Sequence, residues 1–441
     1  MKNIQENIMA KTPIKSLIIK IASPLLFSFI VEAIYVLVDS YFISKLSMNS
    51  FSAMGIGTPV FYAICAIAAG TGIGVNANVS KALGEGDQNK IKSYVSGGLF
   101  ISIFAGIVIA IASMFLKPFF AFQTNNAAII SEGIKYLLPY TTLSCVIFVE
   151  FVLCFLLTSS GKTHLTATAS IMGTIFNAIL DPLFMFVFGW GIMGASIATV
   201  MSFALSALIC LYFNVKHNKE VPLVITKPHR RYIKDITKIG LPTFIMRILF
   251  PIAWVAANFV FVKFSIDTLN VLIAYERYEA LTLAPIHAIN SAIISIIAYN
   301  LGARADKRVR ETIKNGIIYA TISGILGFAI YLIFSQQMLY LFGATPNMYI
   351  LGVYMMPLLA SNFTILGIRM PGFASLQALG KPNFAMWILL IRQFLIVIPL
   401  LFIALYLSNI YLACSAWLIS EVPIAILTLI AIKKAKKEVL S

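Results

Sequence analysis

Charged residues are scarce in this sequence. Only 11% of the 441 residues are Asp, Glu, Lys or Arg, whereas about a quarter of an average soluble domain is charged. Hydrophobic residues make up 60% of the chain, in runs long enough to cross a bilayer as helices of about 20 residues. Lipid offers the backbone no hydrogen-bond partner, and runs such as 100–116 do not alternate as barrel strands do. The sequence therefore predicts an all-α integral membrane protein.

Cysteine and histidine are also scarce, and neither is clustered. The five cysteines lie in apolar stretches with no paired spacing: Cys65, Cys145, Cys154, Cys210 and Cys414. They are expected to be small core residues, and neither a disulfide framework nor a metal centre is indicated. No nucleophile with a nearby base is evident either, so we expect no enzyme activity and no cofactor.

Twelve apolar segments lie between polar or Gly/Pro-rich breaks. We place them at 15–43, 52–82, 94–120, 134–159, 164–187, 192–213, 239–263, 271–302, 314–341, 348–378, 383–407 and 411–432. Each is long enough to cross a membrane, and several are long enough to tilt. The sequence thus predicts twelve transmembrane helices.

Basic residues are unevenly distributed between the two sides of these segments. If the N-terminus is cytoplasmic, 25 of the 33 Lys and Arg residues lie in the cytoplasmic parts and four lie outside. Cytoplasmic loops are enriched in Lys and Arg, so we expect both termini on the inner side of a bacterial-type plasma membrane. The net charge of +16 then reflects topology and contact with anionic membrane lipid. Nucleic-acid binding is not expected.

Short motifs recur at a nearly constant distance along the chain. KIASP at 20–24 is matched by KIGLP at 238–242, and the Leu-Gly pair at 83–84 is matched at 301–302, both 218 residues later. Two further matches lie 219 residues apart. The predicted parts are an N-lobe at 1–213, a basic cytoplasmic linker at 214–237 and a C-lobe at 238–441. Each half has six spans, so the halves share one orientation, a design that transporters use to form a site between two lobes.

The motifs, in their order, resemble those of the multidrug and toxic compound extrusion (MATE) family of prokaryotic type. They are VDSYFISKL at 38–46, LGEGD at 83–87, GK at 161–162 and FNAILDPLF at 176–184, with weaker copies in the second half. The resemblance covers essentially the whole chain. It implies a V-shaped exporter with twelve helices in two pseudo-symmetric six-helix lobes, which expels amphiphilic, often cationic, compounds in exchange for protons or sodium ions.

Acidic residues within the spans are the first candidates for function. There are seven: Glu32, Asp39, Glu150, Asp181, Glu276, Glu279 and Glu421. A charge at bilayer depth costs roughly 2.5 to 3.5 kcal/mol, so each acid needs a partner, a water-filled cavity or a proton. Some are expected to pair with the arginines of the spans, Arg247, Arg277, Arg369 and Arg392.

Two of these acids share one depth in the outer half of the N-lobe. Asp39 lies about four residues, or 6 Å, from the outer end of its span, Asp181 about six residues and Thr199 about seven. Asn177 precedes Asp181 by four residues, so both face the same way. We expect a polar pocket in which the carboxylates exchange a proton, or in which the oxygens bind Na⁺.

The family resemblance implies the same site. It assigns cation coupling to an aspartate of the first helix, an Asn and Asp on the fifth and a Thr on the sixth, which are Asp39, Asn177, Asp181 and Thr199 in this chain. A hydrogen-bond cluster that only fixes helix packing remains the alternative.

Neighbouring residues could extend this pocket. Glu32 and Tyr35 lie on the same face of the first helix and could form a proton path, although Glu32 could equally be a satisfied buried acid. Pro24 could be a hinge or simply a proline tolerated in the first turns. Pro182 lacks an N–H and so frees the carbonyl of Ala178 for water or a cation.

The C-lobe departs from the sodium-type branch of the family. That branch carries carboxylates on the seventh and tenth helices, and this chain has none at 239–263 or 348–378. Glu276 and Glu279 on the eighth span could replace them. Alternatively, YERYEA at 275–280 is an Arg–Glu pair with two interfacial tyrosines.

An amphiphilic substrate needs an apolar cleft rich in aromatic residues and Met. Candidates are Phe61, Tyr62, Met172, Phe176, Met246, Trp254, Tyr278 and Met370. Aromatic residues make up 12% of the chain, so each could equally be a core or lipid-facing residue.

These features together predict a secondary active multidrug exporter. It would exchange H⁺ or Na⁺ for amphiphilic cations by alternating access between two lobes, working as a monomer in the membrane. The alternative is a flippase for lipid-linked saccharides, which would need a cationic cavity for pyrophosphate, and only the four arginines of the spans could supply one.

Overall fold

Long apolar helices make up the protein in a computed structural model that describes residues 11–224, 226 and 229–440, with only the backbone of Glu32. Within these residues, eleven helices are long and apolar enough to cross a membrane, and a bent pair supplies the twelfth. In chain order they are α1 Ile14–Leu46, α2 Met48–Glu85, α3 Gln88–Gln123, α4 Ala127–Thr142 with Ser144–Ser159, α5 Thr163–Val187, α6 Gly191–His217, α7 Arg230–Phe264, α8 Ile266–Gly302, α9 Asp306–Leu341, α10 Pro346–Ala378, α11 Pro382–Tyr406 and α12 Ile410–Val439. The predicted all-α class and the twelve spans are confirmed.

Several helices change their winding where the sequence disfavours a regular α-helix. The two parts of α4 meet at an angle of 47°. Directly after Pro182, α5 passes into a π-helical turn at Leu183–Val187, and α11 contains a π-helical stretch at Ile391–Val397. Such turns interrupt the regular hydrogen-bond ladder and are frequent at functional sites. In contrast, α1 remains helical through Pro24.

Helices extend into the basic segment that was predicted to link the lobes. The last turn of α6 reaches His217, and α7 begins at Arg230. Asp235 of α7 accepts a hydrogen bond from the Tyr94 hydroxyl of α3 at 3.2 Å. Both ends of the predicted linker at 214–237 are therefore helical.

The chain forms two compact units. One runs from Tyr41 to Val255, and the other combines the chain up to Ser40 with the chain from Ala256 onward. Compactness and sequence repetition are separate properties, so the lobe boundaries stay a prediction.

Each unit has its own buried core. The first unit buries apolar side chains of α2, α3 and α4 together with Val221 and Ile236. In the second unit, the rings of Tyr275, Tyr331 and Phe363 pack together, with centroids 5.4 to 6.1 Å apart.

The two halves share turns in the left-handed backbone conformation. Three pairs of residues with positive φ are separated by 218 or 219 positions: Gly86 (69°) with Arg304 (54°), Gly161 (77°) with Gly380 (72°), and Gly189 (70°) with Ser408 (49°). These offsets are those of the sequence motifs. The repeat therefore preserves backbone geometry even where the second copy has lost the glycine.

We expect Ser408→Gly to stabilise the protein by about 0.5–1 kcal/mol. The left-handed conformation costs a non-glycine residue roughly 1–2 kcal/mol, and the freedom of glycine in the unfolded chain offsets only about 0.5–1 kcal/mol of that gain. The reciprocal change, Gly189→Ser, should destabilise by a similar amount. The measurement is the thermal unfolding midpoint of the purified full-length protein in detergent.

Ser415→Gly in the helical part of α12 is the matched control. It should lower the midpoint, because glycine disfavours a helix. If Ser408→Gly lowers the midpoint as well, the left-handed turn does not limit stability at this position.

Candidate functional site

Asn177, Asp181 and Thr199 form one polar cluster between α5 and α6. The Asn177 amide Nδ2 donates to Asp181 Oδ1 at 3.0 Å and to Thr199 Oγ1 at 3.5 Å. Asn177 and Asp181 are each 1% exposed. Three of the four predicted coupling residues are thus in contact, and their spacing of one helical turn explains the contact within α5.

Glycines bring α5 and α6 close together on either side of this cluster. A Cβ atom at Gly194 would lie 2.7 Å from the carbonyl carbon of Phe184 and 2.9 Å from the nitrogen of Met185. At Gly173 it would lie 3.1 Å from the carbonyl oxygen of Ser202. Small residues allow such close helix approach inside a membrane. A side chain at Gly194 would force the two backbones apart.

The cluster has the chemistry of a site for a proton or a small hard cation. An amide donor stabilises a carboxylate without cancelling its charge, and a buried charge in a span is costly. The carboxylate of Asp181, the amide oxygen of Asn177 and the hydroxyl of Thr199 are hard oxygen ligands of the kind that alkali and alkaline-earth cations prefer. Protonation of Asp181 or binding of a cation would remove the uncompensated charge.

Asp39, the fourth predicted coupling residue, lies in the other compact unit. Its side chain is half-buried, and its Oδ1 atom is buried without a hydrogen-bond partner among the described residues. Arg277 of α8, in the same unit, acts on Asp39 electrostatically. Tyr35, one turn earlier on α1, is also half-buried. The side chain of Glu32, the other predicted member of a proton path, lies outside the described residues.

A buried ion network occupies the unit that contains Asp39. Glu421 of α12 is fully buried, and its carboxylate accepts from Arg369 Nε at 2.9 Å and from Arg392 Nη2 at 2.8 Å. Arg392 lies in the π-helical stretch of α11 and also donates to Gln393 Oε1 at 3.3 Å. The expected pairing of acids with arginines of the spans is confirmed here.

Glu276 and Glu279, the predicted acids of the C-lobe, lie in the interior of this unit. Arg277 is 3.5 Å from Glu276, and both side chains are buried. The hydroxyl of Tyr275 donates to Glu279 Oε1 at 3.3 Å, while the Tyr275 carbonyl accepts from the hydroxyl of Tyr331 at 3.1 Å. The Arg–Glu pair of the alternative interpretation is present. Tyr275, however, is 2% exposed and belongs to the core instead of an interface.

Phe61 and Tyr62, two of the predicted substrate residues, belong to a connected series of aromatic rings. The ring centroids of Phe61 and Tyr62 are 6.1 Å apart, those of Tyr62 and Phe250 6.0 Å, and those of Phe250 and Trp254 5.8 Å. Phe61 is also 6.4 Å from Phe203 of α6. This aromatic series lies wholly within the unit from Tyr41 to Val255.

The other predicted substrate residues are dispersed. Met172 and Met246 are exposed, and Phe176 packs on a small core between α5 and α6. Tyr278 and Met370 lie in the other unit. The Tyr278 hydroxyl donates to the carbonyl of Met338 at 3.0 Å, which ties its side chain to α9.

Sequence reasoning missed a second polar cluster in the unit from Tyr41 to Val255. Glu150 accepts hydrogen bonds from Ser206 and Cys154, and the sulfur atoms of Cys154 and Cys210 are 2.9 Å apart. These cysteines are 56 positions apart in the chain. The sequence carries no spacing signal for the contact, because it arises from the packing of α4 against α6.

Comparison with known proteins places this arrangement in a family. The MatE family model matches the chain at residues 24–183 and again at 242–403. The two matches begin 218 residues apart, the same offset as the motifs.

Individual relatives and structures are similar along nearly the whole chain. The multidrug export protein MepA of Staphylococcus haemolyticus is 23% identical over 86% of this chain and 84% of its own length. An FAD transporter of Shewanella oneidensis is 24% identical over 90% of each chain. A solved structure described as the inward-facing conformation of a multidrug resistance MATE family transporter covers 94% of this chain and 98% of its own, with a TM-score of 0.85 at 22% identity.

The family model covers well over half of the chain, in two matches that follow its internal repeat. The structural likeness independently supports the same fold of two six-helix halves. This protein is therefore a member of the MatE family, a multi-span membrane transporter with the MATE fold.

Proposed function

We propose that this protein exports amphiphilic organic cations in exchange for H⁺ or Na⁺. The observation that carries the proposal is the buried contact of Asp181 with Asn177, whose amide also reaches Thr199. A carboxylate in this position binds a cation or a proton when the site opens to one side of the membrane and releases it on the other. Alternating access of the two lobes would couple this exchange to substrate movement.

The arginines of the spans favour a cationic substrate over an anionic one. Arg369 and Arg392 share Glu421, and Arg277 pairs with Glu276. Their positive charges are thus offset within their own unit. A flippase that holds pyrophosphate would need such charges unpaired, so export of amphiphilic cations is the better-supported function. Two relatives differ in this respect, since one is named a multidrug exporter and the other an FAD transporter.

Asp181→Asn should abolish ion-coupled transport while leaving the fold intact. Asn keeps the Oδ1 acceptor for Asn177 and removes only the charge. We expect ethidium transport by inverted vesicles to fall about tenfold or more, the change that corresponds to about 1.4 kcal/mol of lost interaction. The assay is run with an imposed proton gradient and, separately, with an imposed sodium gradient. The gradient that drives the wild type identifies the coupling ion.

Glu220→Gln is the matched control, since Glu220 is an exposed acid of the same unit that pairs with Lys162. It should transport ethidium at the wild-type rate. Wild-type transport by Asp181→Asn under both gradients would refute the coupling role. If the wild-type vesicles accumulate FAD and leave ethidium behind, the substrate is anionic and the cation-export proposal is wrong.

The distribution of basic residues supports an orientation with both termini cytoplasmic in a bacterial-type plasma membrane. Green fluorescent protein fused after Val439 should then fluoresce, because it folds only on the cytoplasmic side. Alkaline phosphatase fused after Gln123, between α3 and α4, should be active because that loop is external. The opposite result for both reporters would invert the topology and with it the direction of transport.

A further inference from the structure

Glu150 is a buried acid that the proposed coupling site does not use. It lies in the second part of α4, Ser144–Ser159, and is 6% exposed. Its Oε1 atom accepts from Ser206 Oγ of α6 at 2.7 Å and from Cys154 Sγ at 3.1 Å. Both hydrogen bonds end on Oε1, so Oε2 is the oxygen that remains for a ligand.

The neighbours of Glu150 do not cancel its charge. Across residues 11–224, 226 and 229–440, no Lys or Arg forms an ion pair with it, whereas Glu276 and Glu421 are both paired with arginine. Its two hydrogen-bond donors are a neutral hydroxyl and a neutral thiol. Glu150 and Arg247 both act electrostatically on Cys65, but no direct contact joins Glu150 to Arg247. A buried carboxylate with such neighbours needs a cation or a proton.

A cavity of about 280 Å³ adjoins this carboxylate, between α4, α5 and α6. Its walls combine three aromatic rings with three hydroxyl groups: Phe151, Phe155, Phe203, Thr158, Thr166 and Ser170. The rings of Phe151 and Phe203 lie nearly parallel, with an interplanar angle of 27° and centroids 6.5 Å apart. Aromatic faces attract organic cations, most strongly where water is excluded. The volume lies just below the range of about 300–1,000 Å³ typical of drug-sized ligands.

We propose that this cavity is a binding subsite for a small aromatic ammonium ion, held by Glu150 and by the rings of Phe151 and Phe203. The inference rests on the proposed export of organic cations, because it names where the same transporter holds part of its substrate. Phe203 joins the cavity to the aromatic series through its contact with Phe61. Ser206 lies seven residues along α6 from Thr199, or about 10 Å at 1.5 Å per residue. The subsite is therefore distinct from the Asp181 cluster.

Equilibrium binding of benzyltrimethylammonium to the purified full-length protein tests the subsite, with isothermal titration calorimetry as the measurement. Glu150→Gln keeps an acceptor for Ser206 and removes the charge, so we expect affinity to fall about tenfold or more. Ser170→Phe narrows the cavity from its exposed rim and leaves the carboxylate in place; it should weaken binding as well. Glu220→Gln is the control and should bind like the wild type.

Equal affinity of the wild type and a folded Glu150→Gln variant would overturn the proposal, as would absence of binding to the wild type. If Glu150→Gln does not fold, wild-type affinity in Ser170→Phe would overturn it instead. Binding at equilibrium needs no ion gradient, so this test is separate from coupled export. Gradient-driven efflux combined with Glu150-independent binding would reject the subsite alone, and Glu150-dependent binding without gradient-driven efflux would reject the proposed antiport alone.

Discussion

Burial of a carboxylate within a membrane span imposes a cost that the surrounding side chains must offset. The chain meets this constraint in different ways. Glu421 is held by two guanidinium groups, which satisfy its oxygens and fix α10, α11 and α12 together. Asp181 is held by an amide and Glu150 by a hydroxyl and a thiol, none of which carries a charge. Acids of the first kind stabilise the fold, whereas acids of the second kind keep the capacity to bind and release a cation.

Duplication has kept the frame of the two halves and changed its chemistry. The left-handed turns recur at the offset that relates Gly161 to Gly380 and Gly189 to Ser408. At the same offset of 219, Asp181 corresponds to Leu400, and Gly173 corresponds to Arg392. The first copy therefore has an uncompensated acid where the second has an apolar side chain, and the second has a buried arginine where the first has a glycine. This asymmetry supports ion exchange in one half and a structural ion network in the other.

Features with a local physical cause could be predicted from the sequence. Apolar runs fixed the twelve spans, because a helix is the only lipid-compatible form of such a run. The contact of Asn177 with Asp181 followed from their spacing of four residues, and Thr199 followed from its depth. Contacts between distant helices could not be read in this way. Glu150 with Ser206, Cys154 with Cys210, and Arg392 with Glu421 depend on how α4, α6, α11 and α12 pack. The positive φ of Arg304 and Ser408 was likewise hidden, since neither residue type favours it.

The missing side chains of Gly173 and Gly194 set the distance between α5 and α6. Ion selectivity in an oxygen-lined site depends on the size of the cage as well as on the identity of its ligands. A methyl group added at Gly194 would widen that cage without altering a single polar atom of Asn177, Asp181 or Thr199. Relatives with identical coupling residues can therefore differ in the ion they accept, and the cause would lie in residues that never touch it.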